Sequence, residues 1–78
     1  MQFRAINVFR AIRLFFVNYG VSEEHAENLA YDFLNSWNVS LENDKNQLIG
    51  EEKIRELDRV IWPRRYKIEK LWEILTDY

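Results

Sequence analysis

Apolar positions recur at intervals of three and four residues along most of the chain, the period of an α-helix with one buried side. From Phe3 to Tyr19 the main stripe is Ala5, Val8, Phe9, Ile12, Phe15, Phe16 and Tyr19, the arrangement of a core-facing helix. Gly20 follows at once and suits the left-handed residue that ends a helix. Ser22 then offers a hydroxyl to the unpaired amides of a second helix, and Glu23 and Glu24 sit where that helix's dipole favours negative charge. The second stripe is Ala26, Leu29, Ala30, Phe33, Leu34 and Trp37, with Asn38 as the predicted end. Only two or three residues separate the helices, so they are expected to form an antiparallel or angled hairpin.

Asn38 to Gly50 reads as a polar connector, because Asn38, Ser40, Asn43, Asp44 and Asn46 favour turns. Leu41, Leu48 and Ile49 are expected to tuck it onto the core. From Glu51 to Asp77 the stripe resumes as Ile54, Leu57, Ile61, Ile68, Leu71, Trp72 and Leu75. Pro63 normally ends a helix at the preceding residue, yet the two halves of the stripe stay in phase across it. The reading is a sharp bend near Trp62, with two segments preferred to one kinked helix. The predicted fold is therefore all-α: a compact bundle of three to four helices in one domain, with helix one central, a polar connector between helices two and three, and a bend or break near Pro63.

Composition narrows what can hold such a bundle together. A 78-residue domain buries only about 60% of the surface that its unfolded chain exposes. With no cysteine and a single imidazole, His25, neither a disulfide nor a zinc staple is expected. Burial of the 12 aromatic side chains is the expected substitute, or contact with a partner. Two glycines and one proline leave little material for hairpins, which argues against an all-β fold. No apolar run approaches the roughly 18 residues of a membrane span. Arg4, Arg10 and Arg13 interrupt the apolar start, unlike a secretory signal. The expectation is a soluble cytoplasmic protein, which the lack of cysteine fits.

The net charge of −2 hides a strong asymmetry. Residues 1–21 carry three arginines and no acid, and residues 22–44 carry six acids and neither lysine nor arginine. Residues 45–78 are mixed. Known chemistries fit poorly. Ser22, His25 and Asp32 share a helix, but no sharp turn presents the serine as a nucleophile, and capping accounts for it. Glu23, Glu24 and Glu27 are what a helix N-terminus favours in any case. Ser40, Glu42, Asp44, Asn46 and Glu51 fall on calcium-loop spacing, but Lys45 and Gln47 stand where glycine and an apolar residue belong. No glycine-rich phosphate loop is present. A helix-turn-helix reader of DNA would present an acidic helix to phosphate. The sequence therefore predicts no catalytic group, no metal and no cofactor.

What remains is surface. Helix one holds more apolar residues than one side can bury: Phe3, Ile6, Leu14 and Val17 lie off the stripe, interleaved with Arg10 and Arg13. A patch of Ile6, Arg10, Arg13, Leu14 and Val17 suits an occupant with apolar and acidic groups, either another protein or helix two of a second copy. Tyr31 is expected to point away from the core among Glu24, Glu27 and Asn35, as an anchor for a partner. The leading expectation is a non-enzymatic protein-binding module: an adaptor, inhibitor or regulatory subunit. The alternative is nucleic-acid binding through Arg64, Arg65, Tyr66, Lys67 and Lys70 beside Trp62, in a field weakened by Glu69 and Glu73.

Overall fold

The computed structural model describes residues 1–60 and 68–77. Their order is β1 (Gln2–Arg4), α1 (Ala5–Asn18), α2 (Glu23–Ser36), β2 (Leu48–Gly50), α3 (Glu51–Val60) and α4 (Ile68–Thr76). The helical bundle is as expected, with α1 at its centre, packed against α2, α4 and both strands. The predicted bend at Trp62 and Pro63, and Ile61 of the stripe, lie outside the described residues.

Both ends of the first helical pair use local signals. Gly20, at φ +90°, gives its amide to the Val17 carbonyl at 2.9 Å, and the Val21 amide reaches the Phe16 carbonyl at 3.1 Å. This pairing satisfies two of the carbonyls left over at a helix end. The end of α2 repeats it with asparagine. Asn38, at φ 59°, donates to the Asn35 carbonyl and Val39 to that of Leu34, at 3.0 and 2.9 Å. Asparagine tolerates this conformation better than most residues that carry a Cβ. The start of α2 is closed by the Ser22 hydroxyl, which accepts from the His25 amide at 3.3 Å.

The connector differs from expectation. Leu48–Gly50 is a strand that pairs antiparallel with Gln2–Arg4, with Phe3 opposite Ile49 and Arg4 opposite Leu48. Helix one accordingly begins at Ala5, and Phe3 belongs to the ribbon. Successive strand residues face opposite sides. Ile49 takes the core side and is buried, so Leu48 faces out at 57% exposure and does not tuck in. Leu41 is partly buried on the core, as expected.

The connector also does for α1 what no side chain does. Arg4 provides no side-chain cap. The amides of Ala5 and Ile6 donate instead to the carbonyls of Gln47 and Lys45, at 2.8 and 2.9 Å. A turn in which Asp44 accepts from the Asn46 amide at 3.0 Å shapes this stretch. A helix start closed by a distant backbone segment needs that segment in place, so the ribbon and the connector support one another.

The core contains Val8, Phe9, Ile12, Phe15 and Phe16 of α1, Ala26, Ala30 and Leu34 of α2, Val39 and Ile49 of the connector and β2, and Ile54, Leu57, Leu71 and Leu75 of α3 and α4. Ala11 is also fully buried, although it lies off the predicted stripe. The reason is the central position of α1: α2 covers one side and α4 another, so the buried arc is wider than a single stripe. Conversely Tyr19, Leu29, Phe33 and Trp37 are only partly buried. Phe9 and Phe16 lie two turns apart on one row of α1. Their rings meet Tyr31 and Phe33, which project from opposite sides of α2, at 4.6 and 6.5 Å between centroids. Two contacts so arranged require α2 to cross α1 at an angle, the second of the two expected arrangements. Ala26 and Ala30 permit the close approach.

Candidate protein-binding face

Periodicity places Ile6, Arg10, Arg13 and Val17 along one flank of α1, at spacings of four, three and four residues. The structure divides them. Ile6 and Val17 are partly buried and pack on the core, as Phe3 does, so much of the apolar surplus of this helix is absorbed internally. Arg10 is exposed and Arg13 half-buried. Leu14, on the next row outward, remains 44% exposed. Among the described residues neither arginine has an ion-pair partner. The result is two unneutralised guanidinium groups with apolar surface on either side.

Tyr31 is 41% exposed, as expected for an outward residue, but its ring also rests on Phe9, tilted by 49°. Sequence spacing missed this contact, because an angled α2 turns one of its flanks toward the first helix. The contact joins the two surfaces. Arg13 is one turn beyond Phe9 on α1, and Glu27 is one turn before Tyr31 on α2. Glu24 lies a further turn back on the same flank. Both glutamates are exposed, and neither has an ion-pair partner among the described residues. A basic flank of α1 and an acidic flank of α2 thus border a tyrosine whose ring is already held in place. A pre-positioned aromatic loses little side-chain freedom on binding.

Elsewhere the polar groups serve the fold. Arg55 donates from both Nε and Nη2 to Oε1 of Glu51, the former at 3.1 Å, and the amino terminus lies 3.6 Å from the other oxygen. That arginine holds the Glu51 carboxyl below its ordinary value. The Arg55 guanidinium also sits 5.6 Å from the centroid of the Trp72 ring, which in turn lies 6.0 Å from that of Phe3. Ion pair and rings together tie β1, α3 and α4 into one corner. Of the calcium-loop residues, Glu51 is engaged in this way and Asp44 is turned onto Asn46. Among the described residues no group of three or more histidines, aspartates or glutamates is placed to hold a metal ion. An open groove of about 310 Å³ between α2 and α3 is lined by Asp32, Phe33, Ser36, Trp37, Glu56 and Leu57. The Ser36 hydroxyl in this lining donates to the Phe33 carbonyl at 2.6 Å.

Of the basic-aromatic cluster predicted for nucleic acid, Arg64, Arg65, Tyr66 and Lys67 lie outside the described residues. Lys70 is exposed and pairs with Glu73 at 3.7 Å. Among the described residues no helix is long and apolar enough to cross a membrane. No known family model, curated protein or solved structure matches the chain.

Proposed function

We propose that this chain is a non-enzymatic protein-binding module, an adaptor, inhibitor or regulatory subunit, that acts by surface contact through the outer flank of α1 and Tyr31. The carrying observation is the pair of unneutralised arginines, Arg10 and Arg13, beside the exposed Leu14. Arginine beside large apolar groups is enriched in interface cores, and an acidic occupant would restore the missing counter-charge. The lack of cysteine supports action in a reducing compartment, the cytoplasm.

The test is the double substitution Arg10→Glu with Leu14→Ala. Both side chains point to solvent, so the variant is expected to keep the helical circular-dichroism spectrum and melting behaviour of the wild type. It is expected to lose the associations that the wild type makes in quantitative affinity capture from its host. Equal recovery of the same proteins by a folded double variant refutes this face.

A further inference from the structure

The proposed face has one unusual property: it carries its own complement. Helix α1 bears Arg10 and Arg13 and no acid, whereas α2 bears Glu23, Glu24, Glu27 and Asp32 and neither lysine nor arginine. Among the described residues none of these charges has an ion-pair partner. The line between the two signs runs beside the Phe9–Tyr31 contact. We infer that the occupant is a second copy of the chain, related by a two-fold axis lying along this seam. The inference rests on the binding face proposed above and names what fills it.

Symmetry and charge together select this arrangement. In an isologous dimer the same patch meets itself, so a patch of one sign would repel. A patch divided into a basic and an acidic half is attracted to its copy about one direction only. An axis along the dividing line sets the basic half of each copy on the acidic half of the other. An axis across it sets arginine on arginine and glutamate on glutamate. With the axis along the seam, Arg13 of each copy is brought toward the partner's Glu27, and the two tyrosines come together near the axis. Tyr31, 41% exposed and braced by Phe9, supplies apolar contact at the centre of the patch, where interface energy concentrates. The two helices are 14 residues each, about 21 Å long. Their shared outer face is at the scale of weak, reversible interfaces that bury less than about 1,200 Å² in total. The dimer is accordingly expected to assemble in the micromolar range and above.

The experiment is sedimentation equilibrium of the whole chain over a series from about 10 to about 500 μM, bracketing that range. The expected mass rises with concentration from 9.6 kDa toward twice that value. Arg13→Glu and Glu27→Arg, each alone, are expected to weaken dimerisation about tenfold or more while retaining the wild-type helical spectrum. Mixing the two variants in equal amounts is expected to restore dimerisation, because each reversed charge then faces its opposite across both halves of the interface. Arg13→Gln and Glu27→Gln serve as the milder pair and are expected to weaken association in the same sense. A wild type that stays at 9.6 kDa throughout overturns the inference, as does a mixture that remains monomeric, or a dimer insensitive to all four substitutions. A monomeric wild type whose captured partners still depend on Arg10 and Leu14 sinks only the identity of the occupant. Capture insensitive to Arg10 and Leu14 sinks the face itself.

Discussion

Replacing Ile49 by alanine tests whether the two-stranded ribbon is an integral part of the fold. Ile49 is 2% exposed and is the buried side chain of β2. The substitution removes three carbons, at about 0.8 kcal/mol for each buried methylene-sized group, and adds a cavity penalty because neighbours relax only partly. The expected cost is about 3 kcal/mol. A domain of this size has roughly 4–12 kcal/mol in all, so a quarter or more of the stability is at stake. Urea unfolding followed by circular dichroism is expected to show the midpoint falling by about 3 M, for a slope near 1 kcal/mol/M. Leu48→Ala is the internal control, since Leu48 is the adjacent residue of the same strand but 57% exposed. Its expected cost is below about 1 kcal/mol. Equal costs at the two positions, or a cost at Ile49 under about 1 kcal/mol, would refute the placement of Ile49 in the core. If Ile49→Ala is too unstable to purify, Ile49→Val is expected to cost about 0.5–1.5 kcal/mol in the same assay.

Two further outcomes follow from particular residues. At Gly20 a Cβ would meet nothing within 4 Å, yet φ is +90°, so Gly20→Ala is expected to cost about 1 kcal/mol from backbone conformation alone, read in the same urea titration. Arg55 holds the folded-state pKa of Glu51 below the ordinary glutamate value, so its contribution is present above that ordinary value and lost as pH falls through the folded-state one. Melting temperatures taken between pH of about 6 and about 3 are therefore expected to fall more in the wild type than in Glu51→Gln. Parallel curves would show that the Arg55 pair contributes nothing.

The candidate face was legible in part. The arginines, Leu14 and the acidic second helix could be read directly, because charge and helical spacing are local properties. The exposure of Tyr31 follows from its spacing, but its bracing by Phe9 does not, because that contact depends on the angle between α1 and α2. The same cause explains Ala11. A residue this small gives no stripe signal, and it is buried because α1 is covered from more than one side.

The helical segments, the start of α2 and the ends of α1 and α2 are written in local sequence. Periodicity set which sides are apolar, Ser22 opened α2, and Gly20 and Asn38 closed α1 and α2 through backbone conformations that few other residues adopt easily. These are decided within a turn or two of chain. The tertiary fold alone produces the ribbon, because strands of three residues show no readable alternation and exist through pairing with a segment far along the chain. It also decided how α1 begins. Arg4 cannot cap a helix, and the carbonyls of Gln47 and Lys45 satisfy its first amides once the connector has folded back. Buried or unpaired backbone groups must find partners wherever the fold supplies them, and that requirement has no signature in local sequence.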